Sequence, residues 1–411
     1  MKTESNTKPP AGIQSLESYR AIAPSGTVDL IFNLAGSLKG TSMLHVNSTR
    51  YGGGVAEMLQ RLVPLLENVG IHTRWEVVQG SNLFYKTTKS FHNALQGQME
   101  VITQDMFEEY SRINKEQMDL IDLESNVVII HDPQPAALIH KKKDSDKWIW
   151  RCHIDVANPM RKVWQFLRNY VNQYDGAIFS LPGFAQKLAI PQFLIYPSID
   201  PLSDKNKDLS TEFINKTLEE YTIPHDRPII LQVSRFDKFK DPLGVIEAYR
   251  LAKKYNDCVL VLAGGAAADD PEGMEVLGRV QEEASKEKDI YILNLPPDAN
   301  LEINALQRAA TVILQKSTKE GFGLTVAEAM WKGKPVVGGA VGGIAVQIVY
   351  GKTGFTVNSI EGCAYRIRYL LNNPEETLII GKRAKEYTRR NFLITRHIMD
   401  YLALMKTLRN N

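Results

Sequence analysis

Short apolar runs recur along this chain, separated by longer stretches in which apolar positions return every three or four residues. Val127-Val128-Ile129-Ile130 and Val259-Leu260-Val261-Leu262 are apolar without alternation, the pattern of strands covered on both faces of a parallel sheet. The runs predict strands at Met43–Val46, Trp75–Val78, Val127–Ile130, Trp148–Ile154 and Ala177–Ser180. A second series reads Ile229–Val233, Cys258–Ala263, Ile290–Asn294, Val312–Gln315, Pro335–Gly338 and Phe355–Val357. Between the first two runs, Val55, Met58, Leu59, Leu62 and Leu66 keep helical spacing. Gly70 is a natural stop for that helix, and Pro64 predicts a kink or an early end. Strand and helix alternating almost throughout indicate α/β layers around parallel sheets.

The alternation breaks once, between Pro197 and Pro228, in a charged stretch with one short helical pattern, and restarts at Ile229. The expected architecture is therefore α/β, with two Rossmann-like domains facing a cleft. The expected boundaries are an N-terminal domain at 1–200 and a C-terminal domain at 201–392. Pro374–Leu408 reads as helices back to back, with a last helix at about 393–411 packing back on the first domain. Residues 1–40 are weakly patterned; a helix within Ala21–Leu38 is weakened by Pro24 and Gly26.

Composition narrows the function classes. The 411 residues carry 49 Lys and Arg against 47 Asp and Glu, a net charge of +2. That balance argues against a nucleic-acid partner. Cys152, Cys258 and Cys363 lie far apart with no CxxC spacing, so they read as small buried hydrophobes in a reduced compartment. Met1–Gln14 is polar without an apolar signal region, and no apolar run reaches the ~20 residues that span a bilayer. The expected setting is cytoplasmic, with no membrane partner.

Five segments sit where α/β sheets bind ligands, beyond the carboxyl ends of strands. Asn47–Glu57 contains Gly52, Gly53 and Gly54 at the start of the first amphipathic helix. Free amides there suit an anion or a sugar; a plain tight turn explains the same residues. Ser234–Lys240 offers Arg235 and Lys240 after the first strand of the second half. Arg grips phosphate oxygens in pairs and Lys adds a point charge, although a solvated basic turn fits equally. Glu320–Met330 is the most specific segment: Gly321 and Gly323 flank a helix start, and amides around Gly323, Leu324 and Thr325 would face a diphosphate. Glu320 and Glu328 can accept hydrogen bonds from sugar hydroxyls. Arg151–Asp155 places His153 at a strand end, either as a sugar contact or as a core histidine bonded to Asp155. In His131–Pro135, His131 or Asp132 could touch an acceptor, or simply set helix entry. Asp144-Ser145-Asp146, set among lysines, reads as a charged surface turn, and no metal site is predicted.

Together these segments resemble retaining glycosyltransferases of the GT-B fold. The resemblance runs from about residue 41 to the C-terminus and includes the stretch Gly338–Gly354 that ends in GKTGF. A narrower set, comprising HVNSTRYGGGVAEML, FHNALQG, HDPQPAALI, WRCHID, PSIDPL, VSRFDKFKD, DDPEG and LTVAEAMWKGKPVVG, is similar to trehalose glycosyltransferring synthases. Retaining trehalose phosphorylases share several of these segments. The resemblance implies transfer of glucose from a nucleoside diphosphate glucose (ADP-, UDP- or GDP-glucose) to free glucose, giving α,α-trehalose. It implies no tightly bound cofactor, with Mg2+ at most an activator; the oligomeric state is left open, a homodimer being one candidate.

By resemblance, His153 and Glu320 are the catalytic-site residues. Gly52, Gly53, Gly54, Arg235, Lys240, Asn294, Gly321, Phe322, Gly323, Leu324, Thr325 and Glu328 bind the donor. Arg235 and Lys240 clamp the diphosphate, Glu328 holds the ribose, Glu320 the glucose hydroxyls, and Asn294 the base edge. Asp241 departs from the pattern, because many relatives have glycine after the Lys. Other readings are a phosphorylase, a catalytically silent nucleotide-sugar-binding protein, and a Rossmann dehydrogenase. The last lacks GxGxxG after an early strand.

Overall fold

The computed structural model describes residues 15–51, 53–265 and 271–410. Gly52, Met1–Gln14 and the Asp269–Asp270 part of DDPEG lie outside the described residues. The chain forms two compact units. One comprises the chain up to Pro197 together with Ile394–Asn411; the other is Ser198–Leu393.

The first unit runs α1 (Thr27–Ser37), β1 (Ser42–Asn47), α2 (Gly53–Asn68), β2 (His72–Val77), α3 (Asn82–Leu95), α4 (Gln104–Leu120), β3 (Val127–His131), β4 (Lys147–Cys152), α5 (Arg161–Val171), β5 (Gly176–Phe179) and β6 (Gln192–Leu194). Its six strands are all parallel, in the order β2-β1-β3-β4-β5-β6. The order reverses between β1 and β3, so the crevice at their carboxyl ends is the natural ligand position. Helix α2 buries Met58, Leu59, Leu62 and Leu66 as the spacing predicts, but it does not end at Pro64 and runs on to Asn68. Proline in a helix interior removes one hydrogen bond, and the buried leucines on both sides of it hold this helix together.

Residues 15–40 are folded into the unit rather than forming a loose extension. Leu16 and Tyr19 are buried, and α1 starts after Gly26, whose φ of 80° suits glycine. β6 has three residues, largely exposed at the sheet edge, and carries no run that the sequence pattern could register.

The second unit runs α6 (Thr211–Glu220), β7 (Ile229–Val233), α7 (Pro242–Lys253), β8 (Val259–Gly264), α8 (Pro271–Ala284), β9 (Ile290–Asn294), α9 (Asn300–Ala309), β10 (Val312–Gln315), α10 (Leu324–Trp331), β11 (Val336–Gly339), α11 (Gly342–Gln347), β12 (Gly354–Val357), α12 (Ile360–Asn372) and α13 (Pro374–Asn391). The strands are parallel in the order β12-β11-β10-β7-β8-β9, the doubly wound arrangement with its reversal between β7 and β10. Both faces are covered. Ile230, Leu260, Leu262 and Leu314 pack into one apolar layer, and Leu231, Val259, Val261 and Ile313 into the other. This two-sided burial is why the strands lack alternation.

The last helix, α14 (Ile394–Asn410), belongs to the first unit, where it packs on α1 and α2. The three cysteines are buried and free. No helix among the described residues is long and apolar enough to cross a membrane.

Candidate functional site

In the second unit, the loops following β7 and β10 are laced together at the switch point. Gln232, the fourth residue of β7, donates from Nε2 to the Lys240 carbonyl at 3.0 Å, and the Thr318 amide donates to the Phe239 carbonyl at 2.8 Å. Asp237 caps the short 3-10 turn Lys238–Lys240 by accepting the Phe239 amide at 2.7 Å. These bonds bring Lys240 to Glu320, Nζ to Oε2 at 2.5 Å, with both side chains largely buried. Beside that pair, Asp241 bonds Lys316, the first residue after β10.

Asp241 lies in the left-handed region, with φ of 49°. This accounts for the glycine expected at the position, since a side chain there costs energy that glycine avoids. Its carboxylate offsets that cost by capping the Gly244 amide at 3.2 Å and pairing with Lys316. Arg235 is bonded to Asp237 at 3.2 Å, and its side chain keeps 64% of its exposure, so the guanidinium remains accessible to an anion.

The helix start at α10 is built by glycines. Gly323 is its N-cap with φ of 80°. Gly342 and Gly343 press from α11 against the Glu320–Phe322 turn: a Cβ on Gly342 would stand 1.8 Å from the Glu320 carbonyl oxygen. Gln347 donates to the carbonyls of Phe322 at 2.6 Å and Gly323 at 3.2 Å. Phe322 itself turns inward, edge-on to Phe392 with centroids 5.6 Å apart, so its ring belongs to the core rather than to a ligand surface. Thr325 donates its hydroxyl to Gln315 Oε1 at 3.0 Å. The structure thus brings Arg235, Lys240, Glu320, Gly321, Gly323, Leu324 and Thr325 to one switch point.

Glu328 lies a turn further along α10. It is 2% exposed, with Lys205 Nζ 3.8 Å from Oε1. Lys332 donates to Asn206 Oδ1 at 2.9 Å and to the Glu328 carbonyl at 3.3 Å. Burial pushes the Lys332 ammonium down to about 7, with Glu328 acting in the opposite direction. Asn294 is exposed at the carboxyl end of the edge strand β9. It is separated from β7 by β8, roughly 10 Å across the sheet.

In the first unit, Gly53 and Gly54 open α2, with Gly53 at φ of 81°. Asn47 braces the turn before them, donating to the Thr49 carbonyl at 2.8 Å and accepting the Trp75 Nε1–H at 2.9 Å. His153 is not bonded to Asp155, whose carboxylate takes the Ala157 amide instead. Its Nε2 lies 2.8 Å from Nδ1 of His131, and His131 Nε2 lies 2.9 Å from Nδ1 of His45. The His153 amide donates to Asp132 Oδ1 at 2.8 Å. Asp132 has φ of 64°, and burial raises its carboxyl to about 7. Strained residues of this kind concentrate at functional sites.

Sequence reasoning missed His45, Lys316, Gln347 and the Gly342-Gly343 pair. The glycine pair following a strand was a visible signal. The others look like ordinary strand or helix residues until the sheet order is known. Asp144 and Asp146 stay in an exposed turn before β4. Among the described residues no three His, Cys, Asp or Glu side chains gather as metal ligands.

A family model described as "Trehalose synthase, N-terminal domain" matches residues 45–186, and one described as "Glycosyl transferases group 1" matches 213–387. The trehalose synthase of Pyrococcus horikoshii is 47% identical over 404 residues, covering 97% of both chains. The chain belongs to the trehalose synthase family. The family's second module falls on the unit that carries Arg235, Lys240 and Glu320, so the protein is a glycosyltransferase. Trehalose phosphorylase from Pleurotus pulmonarius is more distant, 30% identical over 84% of this chain and 54% of its own length. The GT-B fold is shared with sucrose-phosphate synthase of Thermosynechococcus elongatus (TM-score 0.70, 16% identity, 90% and 99% coverage). It is also shared with HepE of Anabaena, solved in complex with UDP and glucose (TM-score 0.66, 16% identity, 90% and 100% coverage).

Proposed function

We propose that this member of the trehalose synthase family transfers glucose from a nucleoside diphosphate glucose to free glucose, reversibly and with retention, forming α,α-trehalose. The observation that carries the reading is the switch point of the second unit. There an accessible Arg235, the Lys240–Glu320 pair and the amide end of α10 are held by the loops after β7 and β10. Cations and helix amides placed together suit a diphosphate, whose negative charge grows as it leaves. The UDP and glucose bound by the similarly folded HepE are in keeping with such a donor.

In this reading Arg235 and Lys240 clamp the diphosphate and Glu328 meets the ribose. Glu320 positions the donor glucose, and His153 is assigned to one of its hydroxyls. No carboxylate is required as a nucleophile. The acceptor attacks on the face the diphosphate leaves, and a phosphate oxygen takes the acceptor proton.

The test is product analysis with glucose and each of ADP-, UDP- and GDP-glucose. Parallel incubations contain trehalose with inorganic phosphate, and maltose alone. Trehalose with both anomeric carbons α, together with released nucleoside diphosphate, is the expected result. Glucose 1-phosphate from trehalose, trehalose from maltose alone, or donor binding without turnover would each overturn it.

A further inference from the structure

Three histidines on adjacent strands of the first unit form one hydrogen-bonded line. His45 belongs to β1, His131 ends β3, and His153 follows β4. The contacts are His45 Nδ1 to His131 Nε2 at 2.9 Å and His131 Nδ1 to His153 Nε2 at 2.8 Å. His45 and His131 are fully buried, and His131 stacks on His153 with centroids 5.1 Å apart and planes 12° from parallel. Burial pushes all three imidazoles below their ordinary value, His45 to about 3, so each ring is neutral and carries one N–H.

Neutral His131 has both nitrogens engaged, so one donates and the other accepts. The line therefore runs in a single direction. If it runs from His153 inward, the last proton sits on His45 Nε2, which is buried with no hydrogen-bond partner among the described residues. If it runs outward, that nitrogen is a bare acceptor. A buried N–H with nothing to meet is the rarer defect, so the outward direction is favoured. His153 then accepts at Nε2 and carries its proton on Nδ1.

We propose that His45 and His131 are positioning residues that fix the tautomer of His153, presenting its Nδ1–H as a hydrogen-bond donor to an oxygen of the bound sugar. This rests on the assignment of His153 to the glucose. It has a chemical consequence: a ring locked as a donor holds a hydroxyl oxygen but cannot accept the acceptor's proton. Proton removal is left to the leaving phosphate.

The decisive measurement is nitrogen-15 NMR of the full chain labelled at histidine, with His153 assigned by comparison with a His153→Asn spectrum. A protonated Nδ1 and bare Nε2 at His153, and the same at His45, are expected. The reverse tautomer at His153 overturns the proposal. His45→Leu removes the terminal donor. It should leave His153 as a mixture of tautomers and lower kcat/KM for the sugar donor about tenfold, the worth of one hydrogen bond. His45→Asn, which keeps an N–H near the place of Nδ1, should recover most of that loss. A single unchanged tautomer in the His45→Leu protein, or equal loss in both variants, also overturns the proposal. If the unaltered enzyme makes no trehalose from any nucleoside diphosphate glucose, the functional reading fails while the NMR result still decides the tautomer.

Discussion

Lys240 and Glu320 meet across the carboxyl ends of the neighbouring strands β7 and β10, with Nζ 2.5 Å from Oε2. A diphosphate that needs the Lys240 ammonium must share it with this carboxylate. Glu320→Gln removes that competitor and a negative charge beside the phosphates, while keeping the side chain's shape. The nucleoside diphosphate alone should then bind more tightly, by a fewfold. Glucose transfer should fall by about a hundredfold or more if Glu320 is the proposed positioning carboxylate for the donor sugar. Calorimetric titration with ADP, UDP and GDP, alongside turnover, checks both. Full turnover in Glu320→Gln or Glu320→Ala would remove Glu320 from the site.

Arg235 is the exposed member of the same cluster, and its guanidinium donates to Asp237 at 3.2 Å. Arg235→Ala should raise KM for the donor and lower kcat together, reducing kcat/KM by about ten- to a hundredfold. A bidentate phosphate contact strengthens as the leaving charge develops. Arg235→Lys restores the charge but not the fork, so it should recover only part of the loss. Initial-rate kinetics over donor concentration distinguish this from a solvated turn, for which neither variant would matter.

Gly342→Ala should damage the site from outside it. The new Cβ would fall 1.8 Å from the Glu320 carbonyl oxygen, at a residue whose φ is 46°. The Glu320–Phe322 turn must then move, and the proposed donor site with it. A loss of about 1–3 kcal/mol in stability is expected from overpacking and backbone strain. The loss of transfer should be larger than that destabilisation explains, with activity below a tenth of the parent while the melting transition remains cooperative. Activity that simply tracks the folded fraction would refute the coupling.

The parallel strands were legible because burial on both faces leaves uninterrupted apolar runs. The loops after β7 and β10 were legible as candidate ligand loops because they follow such runs. Arg235, Lys240 and Glu320 could be singled out in this way, but the meeting of Lys240 with Glu320 could not. Lys240 and Glu320 are 80 positions apart in sequence, and only the sheet order that seats β7 beside β10 joins them. His45 was invisible for a related reason: inside Met43–Val46 it reads as one polar residue in a buried strand. Its partner His131 becomes its neighbour only through the β1–β3 pairing. Phe322 stands within a glycine-rich turn that suggests ligand contact, yet its ring is taken by Phe392, a long-range packing choice that no local pattern encodes.

The first unit should lose stability in mild acid. Burial holds His45, His131, His153 and His397 below their ordinary value. Below pH ~6.5 the unfolded chain takes up protons that the folded unit refuses, so stability falls as pH falls, by up to about 1.4 kcal/mol per pH unit for each histidine. Asp132 acts in the opposite sense. Its carboxyl is raised to about 7 by burial, so its contribution is complete below pH ~4 and is lost as pH rises to 7. Four protons against one leave a net uptake of about three on unfolding between pH 6.5 and 4. Asp132→Asn removes the opposing group, keeps an oxygen for the His153 amide, and tolerates a left-handed backbone. The variant should gain stability at pH 8 and lose it more steeply below pH 6. Urea midpoints followed by tryptophan fluorescence suit the test, because Trp75, Trp148, Trp150 and Trp164 lie in this unit and only Trp331 lies in the other. A midpoint that is flat from pH 8 to pH 5 would show that these rings are charged or solvated in the folded state.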